Sequence, residues 1–290
     1  MKEIKQLEFT KMHGTGNDYV YINALAGLPV PLAEIPELAR RVSHRHFGIG
    51  SDGLVLILPS ATADYMMDMY NADGSQGRMC GNAIRCVAKY VYDRGLTRKK
   101  TLLIETLSGI KSIDLHVSGN AVTRASVNMG RPVFDPALIP VRWHDSKVID
   151  EPIAVAGHLY ALTCVSMGNP HAVTFVDSVE SLDLAKIGPA FENHTLFPDR
   201  INTEFVQIID RHNVRMRVWE RGSGETMACG TGACACVAAA VATGRTDRKV
   251  TVHLNGGDLQ IEWDKSSDEI IMTGPAAFAF DGTMDIEPAR

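Results

Sequence analysis

Short apolar runs that alternate with polar residues cover most of the chain, and this alternation is typical of strands with one buried face. Two segments, 35–46 and 81–94, instead repeat their apolar residues at helical spacing, and helices are also predicted over 184–191 and over the small-residue segment 230–243. Strands are predicted over 7–12, 18–22, 54–58, 65–70, 101–105, 111–116, 121–128, 159–166, 172–176, 204–209 and 213–219, and over most of the chain after residue 244.

The same general order of elements occurs twice, which indicates an internal duplication. Each half is rich in strands and contains one apolar helix that begins at a Cys-Gly pair. The segment 130–140 holds three prolines and little periodicity, so the domain boundary is placed there. We expect an N-terminal domain over 1–128, completed by 276–290, and a C-terminal domain over 129–275.

Composition narrows the class of protein. The 290 residues carry a formal charge of -5, and this balance indicates neither a nucleic-acid nor a membrane partner. The N-terminal residues lack the apolar core of a signal peptide, and the longest small-apolar stretch, 233–243, is shorter than the about 20 residues that span a bilayer. We expect a cytoplasmic location with reduced cysteines. The oligomeric state stays open, with a homodimer as one candidate.

The two Cys-Gly pairs, Cys80-Gly81 and Cys229-Gly230, lie where the predicted helices 81–94 and 230–243 begin. A helix N-terminus presents unpaired N–H groups and the positive end of the helix dipole. We therefore expect the pKa of each thiol to fall from about 8.5 towards neutrality. The same N–H groups can hold a carboxylate.

Two opposed thiols of this kind would suit the inversion of an amino-acid stereocentre. A thiolate removes the α-proton from one face, and a thiol returns a proton from the other face. The alternative is that both cysteines are small core residues. The other four cysteines lie inside predicted helices or an apolar strand and are expected to be structural: Cys86, Cys164, Cys234 and Cys236.

Five segments in order carry a resemblance to a known family: KMHGTGNDY at 11–19, YNADGSQGRMCGNAIRC at 70–86, VSMGNPHAV at 165–173, FPDRINTEF at 197–205 and WERGSGETMACGTGACA at 219–235. With these segments the chain resembles the diaminopimelate epimerases essentially from end to end. The resemblance implies interconversion of LL- and meso-2,6-diaminopimelate without cofactor or metal, in lysine and peptidoglycan precursor synthesis. It also implies an α+β fold of two similar domains, each a mixed β-sheet curled around a central helix, with the active site in the cleft between them.

The same resemblance implies roles for individual residues. Cys80 and Cys229 would be the acid–base groups, with His171 and Glu220 beside them. Gly81-Asn82 and Gly230-Thr231 would hold the carboxylate. Substrate contacts are implied for Asn17, Asn71, Asn169, Asn202, Glu220 and Arg221. One position departs from the family: Gly53 follows Asp52 where many members have a glutamine that contacts the substrate.

Other functions fit the sequence less well. A racemase of another amino acid, such as histidine or proline, would use the same thiols but would not need the group Asn71, Asn169, Asn202 and Arg221. A thiol redox protein would need a C-x-x-C motif, a zinc module would need paired ligand spacing, and a nucleotide-binding protein would need a complete phosphate-binding motif. The sequence contains none of these, and no feature singles out a lysine for pyridoxal phosphate.

Overall fold

The computed structural model describes residues 5–286, and within this range strands dominate. The strands are β1 (Lys5–Gly14), β2 (Asn17–Asn23), β3 (Gly53–Leu58), β4 (Tyr65–Asn71), β5 (Gln76–Gly77), β6 (Thr101–Thr106), β7 (Gly109–Ser118), β8 (Ala121–Gly130), β9 (Glu151–Val155), β10 (His158–Ser166), β11 (Pro170–Phe175), β12 (Asn202–Ile208), β13 (Asn213–Glu220), β14 (Gly224–Glu225), β15 (Lys249–Leu254), β16 (Gly257–Trp263), β17 (Ile270–Gly274) and β18 (Ala277–Ile286). The α-helices are α1 (Ile35–Ser43), α2 (Gly81–Asp93), α3 (Leu184–Glu192) and α4 (Gly230–Ala242), and a 3₁₀ turn, Leu32–Glu34, precedes α1.

The chain divides into two units. The first comprises Met1–Val127 and Pro275–Arg290, of which residues 5–127 and 275–286 are described, and the second comprises Asn128–Gly274. In the first unit the strand order is β18-β1-β2-β3-β4-β6-β7-β8. The pairs β2/β3 and β4/β6 are parallel and the others are antiparallel. Helix α2 packs against β1, β2 and β7, so the sheet curls around it.

The second unit has the same arrangement, in the order β9-β10-β11-β12-β13-β15-β16-β17. Its parallel pairs, β11/β12 and β13/β15, occupy the same two places in the order. Helix α4 takes the place of α2 and contacts β10, β11, β12, β13, β16 and β17. The predicted α+β class with two similar domains is therefore confirmed. The units differ in chain order, because the position of β9 in the second is taken by the C-terminal strand β18 in the first.

Small side chains explain why α4 can lie inside a curled sheet. Ten of its thirteen residues are buried, and they are Gly, Ala, Cys and Val. A helix that is apolar all round is stable only when it is covered on all sides. Helix α2 is covered in a similar way but keeps two buried cations, Arg85 and Lys89, whose polar atoms are hydrogen-bonded.

The predicted helices are present, with α1 shorter than predicted. It ends at Ser43 rather than at residue 46, because the N–H groups of Ile49 and Gly50 fold back onto the carbonyl of Val42. Three short strands, β5, β9 and β14, had no separate prediction. Within residues 5–286, none of the helices has both the length and the apolar character needed to cross a bilayer.

Candidate active site

Cys80 is the N-cap residue of α2. Its backbone is extended, with φ -135° and ψ 119°, and its sulfur accepts a hydrogen bond from the N–H of Ala83 over 3.5 Å. This is the usual bond of a capping side chain to the third residue of the helix, here made by a thiol. The predicted position of Cys80 at the helix entry is therefore confirmed.

Asn17 links Cys80 to a carboxylate that sequence reasoning missed. The thiol of Cys80 donates to Oδ1 of Asn17 over 3.4 Å, and Nδ2 of Asn17 donates to Oδ2 of Asp52 over 2.8 Å. Arg45 pairs with Asp52 on its other side. Burial raises the pKa of Asp52, while the N–H groups of Asp18 and Asn17 and the guanidinium of Arg45 oppose the rise. Asp52 thus decides which end of the Asn17 amide faces the thiol.

The first turn of α2 is held by a buried arginine, which was also missed. Arg85 donates to the carbonyl of Gly81 over 3.0 Å and to Oδ1 of Asn82 over 3.0 Å. It also reaches Thr15 Oγ1 and the carbonyl of Pro275. Gly81 and Asn82 therefore lie at the helix entry as predicted, with the Asn82 side chain directed towards Arg85.

Asn71 lies at the end of β4, and its amide donates to Oγ of Ser75 over 3.0 Å within a tight turn. It pairs across the sheet with Gly53. A Cβ added at Gly53 would lie 2.1 Å from the carbonyl oxygen of Tyr70 and 2.7 Å from the ring of Tyr19. The strand register of this protein therefore leaves no room for a side chain at residue 53, and the glycine fits its place in the sheet.

Cys229 begins α4 as Cys80 begins α2. Its φ is -119° and its ψ is 110°, and its sulfur accepts from the N–H of Gly232 over 3.4 Å. The sulfur is 3.5 Å from the hydroxyl oxygen of Thr231. Cys229 is only 6% exposed, whereas Cys80 is half-buried. Gly230 and Thr231 form the first turn of α4, as predicted.

The expected fall in thiol pKa is wrong for Cys229. Burial raises its pKa, and the nearby carboxylates of Glu220 and Glu204 raise it further. Hydrogen bonds from Thr231 and from the N–H of Gly232 act in the opposite direction but do not prevail. The helix entry is favourable for a thiolate, yet here the desolvation of the thiol is the larger effect.

Glu220 ends β13 beside Cys229. The hydroxyl of Thr226 donates to Oε1 of Glu220, and the Cys229 thiol is also hydrogen-bonded to this carboxylate. Burial raises the pKa of Glu220, and these two hydrogen bonds partly offset the rise. A carboxyl group whose pKa is raised and which contacts the thiol can exchange a proton with it.

His171 lies on β11 and is fully buried. Its Nδ1 is 2.7 Å from Oε1 of Glu204, and its Nε2 is 3.0 Å from Oδ1 of Asn169. The amide nitrogen of Asn169 donates to Oγ1 of Thr231 over 3.2 Å. His171, Asn169 and Thr231 are thus brought together beside Cys229.

Asn202 and Arg221 form a second pair in this unit. Asn202 accepts from the backbone N–H of Arg221 over 2.9 Å and donates to the carbonyl of Pro170 over 2.8 Å. The guanidinium of Arg221 donates to the carbonyl of Asp199 over 2.8 Å. Asn202 therefore positions the backbone of Arg221, in addition to the contact with substrate that the resemblance implies.

Three residues of these sites have no place in the sequence predictions: Asp52, Arg85 and Glu204. Each has a signal that could have drawn attention to it: Arg85 is a charge in an apolar helix, Glu204 lies within the segment 197–205, and Asp52 precedes Gly53, the position that departs from the family. In the described part of the chain, no group of three or more His, Cys, Asp or Glu side chains is arranged to hold a metal ion.

Solved structures identify the class of fold. The Bacillus anthracis phenazine biosynthesis protein of the PhzF family superposes with a TM-score of 0.69 at 17% identity, covering 97% of this chain and 100% of that chain. A hydroxyproline epimerase from Agrobacterium vitis superposes with a TM-score of 0.67 at 13% identity, covering 99% of this chain and 95% of the other. The chain thus has the two-domain fold of these proteins.

Sequence comparison then identifies the family. The sequence model of the diaminopimelate epimerases matches residues 9–134 and 163–279. The diaminopimelate epimerase of Acetivibrio thermocellus is 53% identical over 281 residues, which cover 97% of this chain and 99% of the relative. The chain belongs to the diaminopimelate epimerase family.

Proposed function

We propose that this protein epimerises LL- and meso-2,6-diaminopimelate by proton transfer between the α-carbon and two thiols, without cofactor or metal. The observation that carries the mechanism is the equivalence of Cys80 and Cys229. Each caps the central helix of its unit, and each sulfur accepts an N–H bond from the residue three positions on. Two equivalent proton-transfer groups are what inversion of one stereocentre requires.

The proposed reaction exchanges one proton for another. The thiolate of one cysteine takes the α-proton and becomes a thiol, while the thiol of the other gives its proton to the opposite face of the carbanion and becomes a thiolate. The next turnover in the same direction begins after both protons have re-equilibrated with solvent. The first N–H groups of an α-helix lack intrahelical acceptors, so residues 81–82 and 230–231 can hold the substrate carboxylate and the charge that develops on it.

Neighbouring groups support the thiols in different ways. Asn17 offers an amide oxygen to the Cys80 thiol, and Glu220 offers a carboxylate to the Cys229 thiol. We propose that Glu220 and His171 assist the proton exchange of Cys229. Asn71, Asn169, Asn202 and Arg221 would bind the distal amino-acid end of the substrate, where an arginine can grip a carboxylate with two parallel hydrogen bonds. A cytoplasmic location is part of the proposal, because it keeps the thiols reduced.

Proton–deuterium exchange at the α-carbon tests this proposal. The purified protein is incubated in deuterated water with LL-diaminopimelate and, in parallel, with histidine, proline and hydroxyproline. We expect deuterium incorporation and meso product from diaminopimelate alone, unaffected by a chelator or by a carbonyl-trapping reagent. Exchange of another amino acid without exchange of diaminopimelate would assign the protein to a different racemase activity, and inhibition by either reagent would refute the cofactor-independent mechanism.

A further inference from the structure

Glu204 on β12 is a carboxylate in the interior of the second unit. Its side chain is fully buried, and Oε1 lies 2.7 Å from Nδ1 of His171. The other oxygen, Oε2, has no hydrogen-bond partner. A buried carboxylate is costly unless it is paired, and an incompletely bonded one calls for a specific explanation.

The carboxylate also lies against the first turn of α4. A Cβ added at Gly232 would be 2.6 Å from Oε1 of Glu204 and 3.2 Å from the sulfur of Cys229. Only the absence of a side chain at residue 232 lets the carboxylate come this close to the turn that carries the thiol. The positive end of α4 and a protonated His171 would both stabilise a negative charge at this point.

Hydrogen bonds connect Glu204 to Cys229 through three side chains. Nε2 of His171 faces Oδ1 of Asn169 at 3.0 Å, and Nδ2 of Asn169 donates to Oγ1 of Thr231 over 3.2 Å. Both ring nitrogens of His171 therefore face oxygen acceptors, since Nδ1 faces Glu204. This arrangement fits a ring that carries a proton on each nitrogen, with its charge paired to Glu204.

The hydrogen bond from Asn169 to Thr231 leaves the hydroxyl hydrogen of Thr231 free to bond the sulfur of Cys229. The Thr231 oxygen accepts from Asn169, so its hydroxyl hydrogen is available to the sulfur of Cys229, 3.5 Å away. We propose that Glu204 is a positioning residue: through His171 and Asn169 it directs the hydroxyl hydrogen of Thr231 to the Cys229 sulfur. This inference rests on the proposed function, because it requires Cys229 to transfer protons.

The other titratable groups around Cys229 come from the elements that pack against α4. Glu220 on β13 and His171 on β11 are beside it, and Cys164 on β10 and Cys236 on α4 are buried thiols whose pKa burial and Glu204 raise. Cys234 lies on α4 itself and is also buried.

The remaining strands that pack against α4 add no titratable group on the side of Cys229. Strand β16 faces α4 with Leu259 and Ile261, so Asp258 and Glu262 point to its other face, and β17 has no titratable residue. The Thr231 hydroxyl and the N–H of Gly232 are the two donors whose hydrogen bonds lower the pKa of Cys229, in opposition to burial and the two carboxylates.

Replacing Glu204 with glutamine should reverse the direction of the hydrogen bonds that run from His171 through Asn169 to Thr231. With the glutamine amide oxygen at Nδ1, a neutral ring keeps its one hydrogen on Nδ1, and Nε2 becomes an acceptor. The Asn169 amide then turns its nitrogen to the ring, and its oxygen accepts the Thr231 hydrogen. Cys229 loses a donor, and its thiolate forms only at higher pH.

The test uses Cys80→Ala protein, in which Cys229 is the thiol left to act. The pH dependence of α-deuterium incorporation is measured with LL- and meso-diaminopimelate. Adding Glu204→Gln should move the rise in rate about one pH unit upward and slow exchange at neutral pH about tenfold, the size expected for one lost hydrogen bond to a charged group. Thr231→Val should cause the same shift, and the combined variant should add nothing further.

Controls separate this role from a general effect on the fold. Glu262→Gln replaces an exposed glutamate of the same unit that pairs with Lys249, and it should leave the pH profile of the Cys80→Ala protein unchanged. In Cys229→Ala protein, Glu204→Gln should not move the pH profile of the exchange that Cys80 performs.

An unchanged or downward-moving profile, or equal shifts in both cysteine backgrounds, would overturn the role of Glu204. If Glu204→Gln does not fold, Thr231→Val alone decides: an unmoved profile refutes the proposal. Absence of exchange in both parent variants would instead refute the two-thiol function, and this inference with it.

Discussion

Asn17 donates its amide hydrogen to Asp52 over 2.8 Å, and this bond turns the amide oxygen of Asn17 towards the thiol of Cys80, 3.4 Å away. An asparagine can present either its amide oxygen or its amide nitrogen to a neighbour, so the Asp52 carboxylate determines that the oxygen faces Cys80. In the proposed mechanism, this hydrogen bond would hold the Cys80 proton until the thiol acts as an acid.

Asp52→Ala should therefore lower kcat/KM roughly three- to tenfold, the value of one ordinary hydrogen bond. Asp52→Asn should cost less, because an amide oxygen can still accept from Asn17. Asp64→Ala is the matched control, since Asp64 pairs with Lys99 elsewhere in the same unit. Equal losses in Asp52→Ala and Asp64→Ala would show that Asp52 has no particular role at Cys80.

Glu220→Gln should lower the activity of the protein and raise its stability relative to the parent as pH rises. The carboxyl that contacts Cys229 is lost, and we expect kcat to fall at least about a hundredfold, as for other groups that take part in proton transfer. Burial raises the pKa of Glu220 above its ordinary value of about 4.3. The native state therefore holds this proton more tightly than the unfolded state, so the stability contributed by Glu220 is full below the unfolded pKa and is lost as pH rises through the folded pKa.

Glutamine does not ionise, so Glu220→Gln should escape this loss. Urea unfolding between pH 4 and pH 8 should show the variant gaining stability over the parent as the pH rises. Glu262→Gln, with an exposed side chain, should follow the parent at every pH. A variant that loses stability relative to the parent as pH rises would contradict the assigned direction of the Glu220 pKa.

Gly53→Gln, which restores the residue of many family members, should destabilise this protein. The new Cβ would meet the carbonyl of Tyr70 and the ring of Tyr19, and overpacking of this kind costs about 1–3 kcal/mol. Gly53→Ala should already show most of the loss in a thermal unfolding experiment. Ala121→Gln, at an exposed strand position of the same unit, should change the midpoint little. Unchanged stability in Gly53→Ala would mean that β3 can shift to make room.

Local patterns in the sequence were enough to predict the helix entries. Gly81 and Gly230 follow a cysteine and precede small apolar residues, and the helices begin there with the cysteines as N-caps. The duplication was also predictable, because the two halves repeat one order of elements. Short strands such as β9 have too few residues to show a period, and they depend on pairing with distant strands.

Long-range contacts explain what the sequence could not predict. Asp52 lies 35 positions from Asn17, and Glu204 lies 33 positions from His171, so each contact depends on the register of neighbouring strands. The pKa of Cys229 was predicted in the wrong direction because a helix entry is visible in sequence, while burial and the approach of two carboxylates are not.

The central claim is that Cys80 and Cys229 act on opposite faces of one α-carbon, and the most direct measurement is single-isomer exchange by the two alanine variants. Cys80→Ala and Cys229→Ala are each incubated in deuterated water with LL- and with meso-diaminopimelate. We predict that each variant labels one stereoisomer slowly with retention, that the two variants label opposite stereoisomers, and that neither inverts its substrate. Epimerisation by either variant at a rate near that of the parent protein would contradict the two-thiol mechanism.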